Sequence, residues 1–94
     1  MELSEQNIQT LEKEGFTHVY EWSDPAGTVY DEHVHHGPAA VFVTEGAITF
    51  QLPTGPQTVR AGERIDIGPD IPHSATVGPN GWQCVVGAMH ESDT

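Results

Sequence analysis

Hydrophobic and polar positions follow two different periods along the chain. In "SEQNIQTLEKEG" (4–15) the apolar residues Ile8 and Leu11 form a thin stripe, which predicts a short helix. Ser4 is the expected N-cap residue of this helix, and Gly15 is the expected stop. After Gly15 the apolar positions fall in short runs rich in Val, Ile, Thr and aromatic residues, a pattern typical of β-strands.

Eight short strands are predicted after the helix, separated by turns rich in Gly and Pro. Their ranges are 16–22, 28–35, 39–46, 47–52, 57–60, 64–67, 73–77 and 82–89. Breaks are expected at 53–56, 61–62, "GPDIP" (68–72) and "GPNG" (78–81). Many short strands with closely spaced turns indicate an all-β sandwich or barrel. We therefore expect an N-terminal helix within 1–15 and one barrel domain over 16–94.

Composition narrows the class of protein. The 94 residues suffice for one small domain, and the net charge is −11, with Lys13, Arg60 and Arg64 as the only permanent cations. Nucleic acid and anionic membranes are therefore not expected partners. Cys84 is the single cysteine, so no intrachain disulfide can form. The sequence shows no bilayer-length apolar run and no basic-then-apolar leader, so we expect a cytoplasmic protein.

The stretch "EHVHH" (32–36) carries the strongest chemical signal. On a strand, His33 and His35 would point to one face and His36 to the other. Two imidazoles on one face can converge on a divalent ion, which needs at least a third protein ligand. His73 is the best candidate for this ligand, because "GPDIP" fixes the backbone before it and a predicted strand begins at it.

Together these residues make the sequence resemble a small single-domain cupin of the type-2 conserved-barrel family. The first cupin motif runs from Gly27 through five residues to "HVH" (33–35) and on to "TEG" (44–46). The second runs from Gly62 in "AGERIDIGPDIPHS" to His73, with Pro72 directly before the histidine. The chain departs from the family at Gly68, where proline is usual, and at Asp70, where glycine is usual.

The resemblance implies a double-stranded β-helix, which is a jelly-roll-like barrel, and a metal site formed by His33, His35 and His73. The family's first motif normally adds a glutamate ligand, but Ala39 and Ala40 occupy its expected positions. Glu45, at the far end of the strand, does not replace it. The implied site is three neutral histidines with no protein anion. Some cupins have this set, including thiol dioxygenases and a β-diketone-cleaving dioxygenase, while others that lack ligands have lost the metal.

Alternation along the predicted strands indicates what would surround the site. If Ala39 takes the inward position of the missing glutamate, Val41 and Val43 also face inward. Ala75 faces inward on the strand that begins at His73. Cys84 is expected to be a buried apolar residue, although it could face the bore. This small, apolar lining suits a small organic ligand beside an ion with open coordination positions.

The function expected from these features is a metal-dependent enzyme, an Fe(II)-type dioxygenase with one divalent ion per chain. The sequence does not distinguish Fe, Mn, Ni, Cu and Zn. No catalytic residue is assigned, because the motifs position no general base; Glu32, Tyr20 and Tyr30 are possible acid–base groups. The alternatives are a non-catalytic metal- or ligand-binding sensor and a cupin isomerase or cyclase.

Two further expectations concern the surface. Phe42 should point outward, opposite Val41 and Val43, and an aromatic side chain facing water favours a homodimer. His18 and His90 are expected to be ordinary surface or strand-end residues that bind no metal.

Overall fold

The structure is a computed structural model that describes residues 2–89, with side chains described from Ser4 onward. One helix precedes six strands. The helix is α1 (Glu2–Lys13), and the strands are β1 (His18–Asp24), β2 (Val29–His33), β3 (Ala39–Leu52), β4 (Gly55–Arg60), β5 (Arg64–Ile67) and β6 (His73–Ala88). The all-β prediction with a short N-terminal helix is confirmed.

Helix α1 ends where the sequence predicts but begins earlier. Gly15 adopts a φ of 101°, the left-handed conformation that closes many helices. The N–H of Gly15 donates to the carbonyl of Glu12 at 3.1 Å, and that of Phe16 donates to Leu11 at 3.2 Å. This is the Schellman pattern. The N-cap prediction for Ser4 is wrong, because α1 already begins at Glu2. In the described part of the chain, no helix is long and apolar enough to cross a membrane.

Two strands are longer than predicted. Strand β3 joins the segments 39–46 and 47–52, and β6 joins 73–77 to 82–88. The predicted break at 78–81 is therefore wrong as a strand end. It is still visible in the ladder, since pairing with β3 jumps from Gly46 opposite Trp82 to Ile48 opposite Val77. Residues 78–81 leave the ladder with β3, and the strand continues beyond them in a new register.

Because β3 and β6 are long and bent, each takes part in two layers. The first layer consists of β1, residues 82–88 of β6, residues 39–46 of β3, and β5. The second consists of β2, residues 73–77 of β6, residues 47–52 of β3, and β4. All of these pairs are antiparallel. The result is a jelly-roll-like double layer, which confirms the sandwich or barrel that the strand pattern indicates and the architecture that the resemblance implies.

The main hydrophobic core lies between the two layers. Its buried members come from both of them and are Val41, Val43, Ile48, Phe50, Val59, Ile65, Ile67, Ala75, Val77, Trp82 and Cys84. Burial of these side chains provides the main driving force that holds the layers together. The predicted inward orientation of Val41, Val43 and Ala75 agrees with their burial in this core.

A second, smaller cluster covers the outer face of the first layer. Leu11 of α1 is buried against Ala40 and Val85, and Phe42 packs at its edge. The guanidinium of Arg64 also lies 5.0 Å from the centroid of the Phe42 ring. The expectation that Phe42 faces water is therefore wrong, because α1 folds over this face within one chain. The homodimer stays a prediction, without this argument for it.

The bend of the long strands requires glycine at one point of close contact. Gly46 has a φ of 73° and Gly81 a φ of 75°. A Cβ atom on Gly46 would overlap the carbonyl oxygen of Gly81, and this backbone atom cannot move aside easily. Gly62 also has a positive φ, of 90°, but a Cβ atom there would meet nothing within 4 Å.

These two glycines provide a matched test of the bend. Gly46→Ala should lower the free energy of unfolding by about 3 kcal/mol or more, because steric overlap adds to left-handed backbone strain. Gly62→Ala carries the strain alone and should cost about 1–2 kcal/mol. Urea unfolding of both variants, followed by far-UV circular dichroism, measures the difference. Equal losses in the two variants would contradict the role of the Gly46–Gly81 contact.

Candidate metal centre

A β-bulge at the end of β2 sets His33 opposite His73. Tyr30 pairs with Ala75 and His33 pairs with His73, so three steps along β2 match two steps along β6. In a regular ladder, Glu32 would stand opposite His73. The extra residue in β2 instead brings the two imidazoles together, with ring centroids 4.4 Å apart.

His35 joins the pair from outside the strand. The sequence places His33 and His35 on one strand face, but β2 ends at His33 and His35 lies in the following loop. Its ring centroid is nevertheless 4.9 Å from that of His33 and 5.3 Å from that of His73. The N–H of Asp70 donates to the His35 carbonyl at 2.7 Å, which ties this loop to the segment before β6. The predicted convergence is thus confirmed, but strand alternation is not its cause.

The three side chains are close enough to share an ion. Each offers one nitrogen, and these nitrogens all lie within 4.8 Å of one another. Nitrogens bound at about 2.0–2.1 Å to one ion can be at most about 4.2 Å apart. Small side-chain rotations would therefore let all three bind a divalent metal at once.

Hydrogen bonds to the main chain orient two of the rings. His33 Nδ1 lies 2.7 Å from the carbonyl oxygen of Asp31, and His73 Nδ1 lies 2.9 Å from that of Ile71. Because a carbonyl oxygen only accepts, Nδ1 must carry the proton and donate in both bonds. In the neutral ring this leaves Nε2 with its lone pair available, which is the tautomer that a metal ligand needs.

Burial keeps His73 in the neutral form. Its side chain is 4% exposed, and the ring of Phe50 lies 6.2 Å away, centroid to centroid. Desolvation lowers the pKa of His73 from its ordinary value of 6.5, and the neighbouring His33 and His35 act in the same direction. The Ile71 carbonyl opposes this shift but does not cancel it.

No carboxylate joins the three histidines among residues 4–89. Ala39, at the position expected for the family's glutamate, is half-buried at the start of β3 and pairs with Ile67 and Ala88. His36 is exposed, and its Nδ1 lies 3.2 Å from Oδ1 of Asp70. It is not part of the group.

The other two histidines lie apart from this group or outside the structure. His18 begins β1 and is half-buried. His90 lies outside the described residues. His18 is not part of the three-histidine group.

Cys84 is buried in the core between the layers. Desolvation is the largest cause that raises the pKa of its thiol to about 12, and the charge of Asp24 adds to it. A thiol with this pKa stays protonated near neutral pH, which agrees with an apolar packing role rather than a nucleophile. Whether Cys84, Ala39, Val41, Val43 and Ala75 line a ligand pocket stays a prediction.

The sequence reasoning missed a hydrogen-bonded cluster around Asp24. The Asp24 carboxylate accepts the indole N–H of Trp82 at 2.8 Å, the indole N–H of Trp22 at 3.1 Å, and the Tyr30 hydroxyl. Burial is the largest cause that raises the pKa of Tyr30 to about 12, and the bond to Asp24 adds to it. Tyr30, a possible acid–base group by sequence, is therefore held protonated. No periodic pattern predicts this cluster, because its members come from three strands.

Solved structures with the same architecture identify the fold. An RmlC-like cupin from Shewanella frigidimarina NCIMB 400 superposes with a TM-score of 0.69 over 80% of this chain and 68% of its own, at 18% identity. The chain has the cupin fold. The chain also superposes on a conserved protein of unknown function from Streptococcus pyogenes, with a TM-score of 0.66 and 23% identity over 78% of its length.

An enzyme is among the similar structures. The DMSP lyase DddQ from Ruegeria pomeroyi DSS-3 superposes on this chain with a TM-score of 0.70 and 21% identity over 81% of its length. The chain spans 39% of the length of the lyase chain and 64% of that of the streptococcal protein. No protein-family model matches the sequence, and no curated protein matches it significantly.

The pKa of His73 can be tested directly in metal-free protein. Its imidazole should titrate below 6.5 in the folded state, because burial disfavours the charged ring. Because the pKa of His73 is lower in the folded than in the unfolded protein, its contribution to stability is fully present at pH values above the unfolded-state pKa of about 6.5. The free energy of unfolding should therefore decrease as the pH falls below about 6.5. An NMR titration of the histidine ring resonances in a chelator measures it. A pKa at or above 6.5 would contradict the burial argument.

Proposed function

We propose that this cupin is an Fe(II)-type dioxygenase that binds one divalent ion through His33, His35 and His73 and oxidises a small organic substrate. One observation carries the proposal: three imidazole nitrogens lie within 4.8 Å of one another. The tautomers of His33 and His73 support it, because each directs an unprotonated Nε2 away from its main-chain partner.

The donor set supports a catalytic site rather than a structural one. Structural sites usually close the coordination sphere with four protein ligands, whereas three ligands leave positions open. When bound, the ion would supply a Lewis-acidic centre and, as Fe(II), a redox centre for O₂. Because the three imidazoles are neutral, the site would favour a substrate with an anionic donor, such as an enolate or a thiolate.

The rest of the chain contributes orientation and shape. The main-chain carbonyls of Asp31 and Ile71 fix two rings, and the buried position of His73 keeps it neutral. Ala39 carries no ligand atom at the position where the family's first motif has its glutamate. Tyr30 is unsuited to proton transfer near neutral pH, which favours substrate oxidation over acid–base chemistry.

An activity screen with defined metals tests the proposal. The protein is prepared without O₂ and loaded separately with Fe(II), Mn(II), Ni(II), Cu(II) or Zn(II). O₂ consumption is then followed with a panel of β-diketones and small thiols. We expect turnover with Fe(II) and at least one substrate. Metal binding without O₂ consumption would overturn the dioxygenase assignment in favour of a sensor, an isomerase or a lyase like its structural neighbour.

Metal binding itself is tested by single substitutions. His73→Ala removes a ligand and should weaken metal binding by more than the roughly 10- to 100-fold typical of losing an outer-sphere partner. His36→Ala is the matched control, since this exposed histidine is outside the group and should bind the metal as before. Inductively coupled plasma mass spectrometry after dialysis gives the stoichiometry. Equal metal content in the two variants would refute the ligand assignment.

Restoring the family's carboxylate tests the missing ligand. Ala39→Glu should tighten metal binding and lower activity, because a carboxylate adds an anionic oxygen ligand and fills an open position. Competition with a chelator measures the affinity, and O₂ consumption measures the rate. Ala39→Gln has a similar size without the charge and should tighten binding less. Unchanged affinity in Ala39→Glu would show that this side chain does not reach the ion.

A further inference from the structure

The two most exposed aromatic side chains of the described residues lie together on β1. Trp22 is 52% exposed and Tyr20 is 39% exposed. Their ring centroids are 6.4 Å apart, and the rings stand at 88° to each other. They occupy alternate positions on one face of the strand, so the two rings form a corner that is open to solvent.

Hydrogen bonds hold the Trp22 ring in place. Its indole N–H lies 3.1 Å from Asp24 Oδ2 and 3.1 Å from the Tyr30 hydroxyl oxygen. The same Asp24 oxygen accepts the N–H of Trp82, which is 7% exposed and belongs to the core. The exposed ring is thus fixed to the buried part of the barrel through its polar edge. A ligand that stacks on a fixed ring loses less conformational entropy on binding than one that must order it.

Among residues 4–89, the fold leaves this corner exposed. Tyr20 pairs with Val86 and Trp22 pairs with Cys84, so both aromatic residues share the face of the first layer that carries the core. Helix α1 packs on the opposite face of this layer and does not shield them. Strand β1 is an edge strand that pairs with β6 alone.

Charge determines which ligand suits the corner. The Asp24 carboxylate contacts the Trp22 ring edge, and the whole chain carries a net charge of −11. Burial is the largest cause that raises the pKa of Tyr20, so its ring stays neutral. The positive charge of the Arg64 guanidinium is balanced by its ion pairs with the carboxylates of Glu14 and Asp66. The electron-rich faces of Trp and Tyr attract cations, and quaternary ammonium groups are commonly bound this way.

We propose that Tyr20 and Trp22 form a binding site for a small organic cation, such as a quaternary ammonium compound. This site uses none of the three histidines and needs no metal ion. Its test is therefore independent of the proposed dioxygenase activity, and either proposal can fail without the other.

The test compares two ligands of nearly the same shape. Choline carries the positive charge, and 3,3-dimethyl-1-butanol replaces its quaternary nitrogen with carbon. Titrations of metal-free protein in a chelator are followed by NMR chemical shifts and by Trp fluorescence. Choline should bind about 2- to 30-fold more tightly than the neutral alcohol. Equal affinities would show an apolar patch without cation selectivity, and no binding of choline would show no site; both overturn the proposal.

Substitutions locate the site. Trp22→Leu should weaken choline binding at least to the level of the neutral alcohol, whereas Trp22→Phe keeps a ring face and should retain part of the affinity. Val29→Ala is the matched control, because Val29 is 63% exposed on β2 and should not affect binding. If Trp22→Leu does not fold, Tyr20→Leu provides the same test. Choline binding that survives loss of either ring would overturn the assignment.

Discussion

The close approach of Gly46 and Gly81 is the constraint on which the rest of the molecule depends. At this point β3 and β6 bend, and the missing side chain of Gly46 lets the two backbones come within a distance that a Cβ atom on Gly46 would not permit. Each strand can then pair in one layer before the bend and in the other layer after it. The core between the layers, and the ends of β2 and β6 that carry the histidines, all depend on this geometry.

The metal centre combines local and long-range constraints. In both His33 and His73 the ring donates to the carbonyl two residues earlier, so local backbone conformation sets each tautomer. Their juxtaposition is a tertiary effect, because the bulge in β2 shifts the register by one residue. The link from Asp70 to the His35 carbonyl then places the third imidazole. Two of the rings and the loop that carries the third are thus held by hydrogen bonds to the main chain, an arrangement that favours a fixed ligand geometry.

Side-chain hydrogen bonds connect two strands of the barrel that share no backbone hydrogen bonds. Strands β1 and β2 both pair with β6 but not with each other. The Asp24 cluster connects β1 and β2 through side chains, since it joins Trp22 of β1 to Tyr30 of β2 and to Trp82 of β6. One carboxylate therefore links the two layers at their shared edge and also fixes the exposed aromatic corner.

Sequence alone determined the helix stop at Gly15, the all-β class and the identity of the three histidines that converge. These features depend on local backbone preferences and on motif spacing, which a single chain displays directly. It did not reveal that β6 continues past 78–81, that α1 covers Phe42, or that His35 lies beyond its strand. Each of these depends on contacts between distant segments: the ladder with β3, the packing of Leu11 against Val85, and the Asp70–His35 hydrogen bond. Tertiary structure decides them because the free energy of such contacts outweighs the weak local preferences of a few residues.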